Sequence, residues 1–491
     1  MRSMRILGAL VLLGLGLGRP DTSAQTGNAV LFEGARLITG DGSAPIENAA
    51  FVVENGRFTQ VGRRGQLRPP PGAVHVDLSG KTVMPGLVDA HAHLGMQRYS
   101  DWTSAPENYT RENILDQLNR ASFFGLAAIY SAGSDFGDFW YTLRDEIIAG
   151  RYPTAARWVP AGPGLTSTAQ SKERARHGAY GADTPADARA AALALAGRGV
   201  TVPKLFVEGR PGRGGLEPLR PAVYAAFIDE AHKHGMRTFV HNHDVDDAKQ
   251  LLRAGIDGFA HKIDWPGPDA ELLAMLKARG PKVFMTLTQP SPPGAEAARL
   301  ANPDPLIRQT IAPVFLKRLL DNATPRTLTP TEYADAKRTW DATYWLRPTW
   351  PRDSAEYKEA QKGWASVKDV TQKFLATGIR IGVGSDTSGL LPDRLVGWAM
   401  HVEMEEMVLS GMTPAQVIVA GTKTNAEWLG LDDLGTIQSG KTASFVVLDA
   451  NPLADITNTR KISRVYVRGT ELDRMEVSAG WSTSGATAAN R

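Results

Sequence analysis

The run Val83-Met-Pro-Gly-Leu-Val-Asp-Ala-His-Ala-His93 constrains this chain more than any other stretch of it. Side chains along a strand alternate sides, so His91 and His93, two residues apart, point the same way. Two co-directed imidazoles at the end of an apolar strand suit a cation that takes nitrogen ligands, and Pro85-Gly86 just upstream marks a turn feeding that strand. A lone His-x-His arises often by chance, so its weight depends on whether other parts of the chain answer it.

Several parts do, each at the end of an apolar, strand-like segment. Gly199-Val-Thr-Val-Pro-Lys-Leu-Phe-Val carries Lys204 inside an apolar strand, Arg237-Thr-Phe-Val-His ends in His241, Gly255-Ile-Asp-Gly-Phe-Ala-His ends in His261, and Ile379-Arg-Ile-Gly-Val-Gly-Ser-Asp ends in Asp386. Between His241 and His261, Asp247 to Ala254 reads as a helix with Gly255 as its C-terminal stop. Pro221 to His234 reads as another amphipathic helix, closed by Gly235, which puts Lys204 and His241 on successive strands. Strands alternating with helices predict a parallel sheet or barrel.

In a (β/α)8 barrel the C-terminal strand ends converge on one face, so residues far apart in sequence become neighbours there. With these motifs in this order, the chain resembles the metal-dependent amidohydrolase superfamily, in its imidazolonepropionase-like and Xaa-Pro dipeptidase (prolidase-like) branch. The resemblance runs over most of the chain after residue 30, including the tail from Leu434 to Leu453. It implies a TIM barrel with a small β-sandwich built from both termini. The chain itself supplies short alternating strands for that sandwich, such as Ala29-Val-Leu-Phe and Ala50-Phe-Val-Val near the start and Ser444-Phe-Val-Val-Leu and Val465-Tyr-Val-Arg near the end.

The division expected along the 491 residues is a signal peptide at 1–24, the first part of the sandwich at 25–83, the barrel at 84–429 with an insertion at about 289–364, the second part of the sandwich at 430–475, and a tail at 476–491. Arg2 and Arg5 precede an apolar run from Ile6 to Gly18, and Thr22-Ser-Ala24 offers a small-residue cleavage site, so export to the periplasm or medium is expected. That run falls short of the roughly 20 apolar residues a membrane helix needs, and no later stretch reaches that length. The absence of cysteine excludes disulfides and a lipidated cysteine, and a chain this long can bury enough core without cross-links. Loss of residues 1–24 removes three arginines and one aspartate, which lowers the formal charge from +3 to +1. No basic patch with interleaved aromatics stands out, so nucleic acid is not an expected partner, nor is a membrane anchor. The expected partner is a small-molecule substrate, and assembly as a homo-oligomer is compatible with the composition.

Imidazole nitrogens and carboxylate oxygens suit zinc and similar divalent ions, and a catalytic site leaves a position open for water. Lys204 is the unusual member, because an ammonium cannot bind a cation. A lysine desolvated in a barrel has a lowered pKa, and its free amine can take up carbon dioxide as a carbamate. The resemblance implies that carboxylated Lys204 bridges two zinc ions. His91, His93 and Asp386 would hold one and His241 and His261 the other, with a hydroxide between them. It also implies that Asp386 takes a proton from that hydroxide's parent water and returns it to the leaving amine.

The remaining candidates carry less signal. His177, in Arg174-Ala-Arg-His-Gly, resembles the family's loop histidine after the third strand and is a candidate catalytic residue meeting substrate or the tetrahedral intermediate. His243 competes with His241 as a ligand, although the apolar strand ends at Val240, which favours His241; a substrate contact is its other reading. Arg210 and Arg213, in the glycine-rich loop after the Lys204 strand, are candidates for a substrate carboxylate, the loop lacking both Walker and Rossmann spacing. His232 and His234 near a helix C-terminus read as structural. His75 and His401 carry no signal. In the insertion, Thr329-Pro-Thr-Glu332 fits a capping box, and Tyr333, Ala336, Trp340 and Tyr344 follow at helical spacing, which predicts an aromatic lid over the barrel mouth.

The resulting expectation is an exported binuclear amidohydrolase that cleaves the amide of a dipeptide or an N-acyl amino acid. The same residues could serve an esterase or lactonase. Opening of a cyclic amide, or deamination, is the runner-up, opposed by Lys204, which mononuclear relatives generally lack. A non-enzymatic binding protein on the same fold is opposed by the retained ligand set.

Overall fold

The structure, a computed structural model, describes residues 29–173, 178–207, 217–288, 291, 292, 295, 298, 299, 302–317, 353–387 and 394–482. Five strands come first: β1 Val30–Leu37, β2 Ile46–Glu54, β3 Arg57–Arg63, β4 Val74–Asp77 and β5 Thr82–Pro85. β2 and β3 form a hairpin around Asn55-Gly56, whose φ angles of 51° and 75° are the left-handed pair that a two-residue turn between twisted strands requires. β1 pairs antiparallel with β2 and parallel with β4 and β5.

Gly86 alone separates β5 from β6 Leu87–Ala92. The Pro85-Gly86 pair is thus a direct link from one sheet into the next, and a Cβ on Gly86 would stand 2.8 Å from that of Ala127. After a short hairpin, β7 Gln97–Arg98 and β8 Thr103–Ser104, come β9 Leu126–Ser131, β10 Arg157–Pro160, β11 Leu165–Thr166, β12 Tyr180–Gly181, β13 Lys204–Phe206, β14 Phe239–His241, β15 Gly258–Phe259, β16 Phe284–Thr286 and β17 Arg380–Gly382. All residues of β6 and β9 are buried, as strands covered on both faces must be. These strands form two ladders, in the orders β10-β9-β6 and β12-β11-β13-β14-β15-β16-β17, and every pairing within them is parallel. The ladders meet where Ala90 N donates to Val383 O at 3.1 Å, Asp386 N to His91 O at 2.6 Å and His93 N to Thr387 O at 2.8 Å.

Helices fill the crossovers. Val245–Ala254 joins β14 to β15; Asp244 caps its first turn and Gly255, at φ 98°, ends it. Pro221–Lys233 joins β13 to β14. Both agree with the sequence reading to within two residues. In the insertion, the helix Ala355–Leu375 starts at a Ser354 cap and leads into β17. The expected capping box at Thr329–Glu332 and the stripe Tyr333, Ala336, Trp340 and Tyr344 lie outside the described residues.

β18 Phe445–Leu448, β19 Ile462–Val467 and β20 Thr470–Glu471 return to the first sheet. β18 pairs antiparallel with β5, Phe445 opposite Pro85 and Leu448 opposite Thr82, giving one eight-stranded sheet in which both ends of the chain meet. Alternation places Phe32, Phe51, Phe58, Phe445 and Tyr466 on its buried side, with ring centroids 4.4–5.8 Å apart in stacked, tilted and edge-on pairs. Among the described residues no helix is long and apolar enough to cross a membrane.

Candidate metal centre

Two strand ends build the first half of the site. β6 delivers His91 and, one residue past its end, His93. β17 continues through Val383-Gly384-Ser385 to Asp386, whose φ of 47° is a left-handed conformation rare for a residue with a side chain. The backbone bonds between the two ladders fix that turn. Close approach depends on Gly384, where a Cβ would lie 2.5 Å from the Cβ of His91 and 2.9 Å from that of Thr286. The result is convergence: Asp386 Oδ1 lies 3.5 Å from His91 Nε2 and 3.3 Å from His93 Nε2.

Lys204 opens β13 and is fully buried. Its Nζ lies 3.2 Å from His91 Nε2 and 5.4 and 5.0 Å from the ring centres of Phe206 and Phe239. Across from it, His241 ends β14 and His261 follows β15, with His241 Nδ1 2.8 Å from His261 Nε2. The rings of His261 and His91 are 4.9 Å apart, so the two halves adjoin. His243 sits with the second half: it stacks on His261 at 4.6 Å and meets Asp264 Oδ1 through Nδ1 at 3.2 Å. His91, His93 and Asp386 form one group able to hold a metal ion, and His241, His243 and His261 another. The end of the apolar run thus does not separate His241 from His243 in space, because alternation returns the second side chain to the same side.

Burial, reinforced by the positive charge of Lys204, holds the His91 imidazole well below its usual pKa. Burial and the neighbouring His241 and His243 do the same to His261. Both rings are therefore neutral at pH 7, with a lone pair to offer. Burial works against ionisation of Asp386, but its contacts with the His91 and His93 rings and the charge of Arg394 outweigh it and hold the carboxyl far below the usual carboxylate range.

Beneath these groups lies a polar network that the sequence reading missed. Asp89 is fully buried and accepts from His91 N at 3.0 Å and Ser385 N at 3.1 Å and from the Ser385 hydroxyl at 2.5 Å. Desolvation pushes its pKa up to about 6 in spite of those bonds. Asn425 bridges the same two strands, its amide donating to Val88 O at 2.6 Å and Val383 O at 2.7 Å. The only sequence signal was polarity inside an apolar run for Asp89; Asn425, on a distant helix, gave none.

His177, Arg210 and Arg213 lie outside the described residues. His232 and His234 pair with Asp257 at 2.8 Å and Glu230 at 3.4 Å, away from the site. His401 is buried between Phe124 O and Thr459, and His75 is exposed on β4.

The Amidohydrolase family profile matches residues 350–472, the stretch that carries Asp386 and returns through β18 to β20. An imidazolonepropionase of Sphingopyxis alaskensis is 26% identical over 435 residues, covering 86% of this chain and 92% of its own. By these matches the chain is similar to members of the amidohydrolase superfamily. An enamidase of Eubacterium barkeri is 31% identical over 100 residues, a match spanning 20% of this chain and 24% of the enamidase. Among solved structures, a Xaa-Pro dipeptidase with bound methionine in the active site superposes with a TM-score of 0.65 at 20% identity, over 91% of this chain and all of its own.

The donor set fits the divalent ions that the family typically uses. Neutral imidazoles and an ionised carboxylate converge from separate strands, and the buried Nδ1 of His91 has no hydrogen-bond partner among the described residues.

Proposed function

We propose that this protein is an exported, binuclear metal-dependent hydrolase that cleaves a carbon–nitrogen bond, with the amide of a dipeptide or an N-acyl amino acid as substrate. One observation carries the reading: Lys204, fully buried, stands 3.2 Å from His91 where the two metal-binding groups adjoin. A charged lysine is disfavoured so close to a histidine-rich, desolvated site, whereas its carbamate would supply the anionic bridge that two cations need.

In this reading the strands from β6 to β17 form a closed eight-stranded barrel, β10 and β11 acting as one strand. Its support is the set of backbone bonds between β6 and the end of β17. The terminal strands would then act as a separate sandwich-like domain. Export rests on Arg2, Arg5 and the apolar run from Ile6.

His91, His93 and Asp386 would hold one zinc ion with Lys204, and His241 and His261 the other. Such a pair supplies an acidified water and polarises the scissile carbonyl. The chain's residues do the rest. Asp386, ionised at neutral pH, accepts the water's proton and delivers it to the departing amine. The neutral state of His91 and His261 leaves their lone pairs for ligation and none of their protons in competition.

The test is a screen of purified protein, supplied with zinc and bicarbonate, against dipeptides, N-acyl amino acids, lactones and aryl esters. The highest kcat/KM is expected on an amide. A preference for esters by orders of magnitude would replace the amide reading, and ligand binding by metal-free protein without turnover would replace the enzyme.

A further inference from the structure

At the end of β9 the segment Ser131-Ala-Gly-Ser-Asp135 runs beside His93 and Lys204. Ala132 N donates to Ala92 O at 2.7 Å, so this segment is hydrogen-bonded to the residue preceding His93. Gly133 has φ 83°, and a Cβ there would stand 2.8 Å from the Cβ of Lys204, so the backbone lies flat against the lysine stem. Ser134 is 1% exposed, and its hydroxyl lies 2.5 Å from Nδ1 of His93.

The far side of the segment is equally tied. Ser134 bridges Pro163, Gly164 N donates to Gly133 O at 3.2 Å, and the buried Asp135 carboxylate accepts from Gly162 N at 3.1 Å and from the Tyr109 hydroxyl at 3.3 Å. The hydroxyl of Ser134 is therefore held where it is by backbone bonded on both sides.

We infer that Ser134 is the positioning residue for His93, fixing the ring and its tautomer so that Nε2 faces Asp386; the inference rests on the metal-centre reading above. An imidazole that donates its Nδ1 proton to the serine hydroxyl keeps its lone pair on Nε2, where a metal ion shared with Asp386 would need it. His93 needs this brace more than its partner does. The His91 side chain is fully buried, wedged by Lys204 and the rings of Phe239 and His261, whereas the His93 side chain is 17% exposed, with Ser134 at its Nδ1 and Asp386 facing its Nε2. Nothing in the sequence pairs these residues, which lie 41 positions apart.

Calorimetric titration of metal-stripped protein with zinc in bicarbonate buffer tests this. Wild type, Ser134→Ala and His91→Ala are compared, the last identifying the equivalent that belongs to the His91, His93 and Asp386 group. Ser134→Ala is expected to weaken that equivalent by about ten- to a hundredfold, leaving the other within about twofold and the melting point of the stripped protein unchanged. Equal affinities in wild type and Ser134→Ala would overturn the inference, as would a variant whose stripped form melts well below wild type, since the serine would then be structural. The two-ion reading is decided separately, by the stoichiometry of wild type. A single equivalent removed by His91→Ala would end that reading, while the same comparison still decides the role of Ser134; no uptake at all would end both.

Discussion

Lys204 Nζ lies 3.2 Å from His91 Nε2 in a fully buried setting, although 113 positions separate the two residues. If the lysine acts as a carbamate, its replacement removes a bridging anion and not a charge alone. Lys204→Ala is expected to lower kcat/KM by about 10²–10⁴-fold, equivalent to roughly 3–5 kcal/mol of lost transition-state stabilisation. Lys204→Arg is expected to be as inactive, because a guanidinium stays protonated and cannot take up carbon dioxide. Steady-state kinetics on both variants check this, and an active arginine variant would rule out the carbamate.

Gly384 lies where the continuation of β17 passes close to His91. Gly384→Ala introduces a methyl 2.5 Å from His91 Cβ and 2.9 Å from Thr286 Cβ, both on strand backbone that cannot yield cheaply. Overpacking of this kind costs about 1–3 kcal/mol. The expected outcome is a folded protein with a lowered melting point and less than one equivalent of metal in the His91 group, read by circular dichroism and elemental analysis.

Metal should couple to stability. The two groups bring six potential ligands together from distant strands, so an ion bound to the folded state alone would stabilise it by mass action. Zinc at a thousandfold excess over its Kd is expected to add about 4 kcal/mol, a rise of a few degrees in Tm for a chain of this size, reversed by chelator. A melting point indifferent to zinc and chelator would argue that the clustered histidines hold no ion.

Asp135 gives a pH signature of defined sign. Burial raises its carboxyl to about 7 from an ordinary value of 3.8, against the bonds from Ser131, Gly162 and Tyr109. Between about pH 4 and 7 the folded protein keeps this proton and the unfolded chain has lost it, so stability falls as pH rises, by at most about 1.4 kcal/mol per pH unit from this group. Asp89 and Glu406, pushed up to about 6 and 7, act in the same direction. Asp135→Asn keeps an oxygen for Gly162 and removes one share of that slope. Urea denaturation of both proteins across this range should show the wild type losing stability faster as pH rises; parallel curves would mean that Asp135 is already ionised when folded.

The strand-borne candidates were legible because each sits at the end of an apolar run, where period-two alternation and a following helix announce a strand terminus. His91, His93, His241, His261 and Asp386 all gave that signal, and Lys204 gave it as a charge inside an apolar segment. What the pattern could not give was contact across the fold. Ser134 reaches His93, Asn425 ties Val88 to Val383, and Asp89 receives Ser385 through bonds that depend on which strands lie side by side. The end of the apolar run at Val240 favours His241 over His243, whereas side-chain direction along the chain places both in one group with His261. That the two terminal pieces share a sheet came from resemblance, since each alone reads as unattached β structure.

The pairing of β5 with β18 has a consequence for how this protein is made. β5 runs through Gly86 straight into the strand that carries His91, yet the neighbour that completes it lies some 360 residues later, and Asp386 and Asn425 also come late in the chain. During translation the first histidines leave the ribosome long before anything exists to hold them in register. Nascent chains stalled upstream of Phe445 would therefore expose the unpaired edge of β5, so chaperone capture and protease sensitivity should persist until synthesis has passed β19.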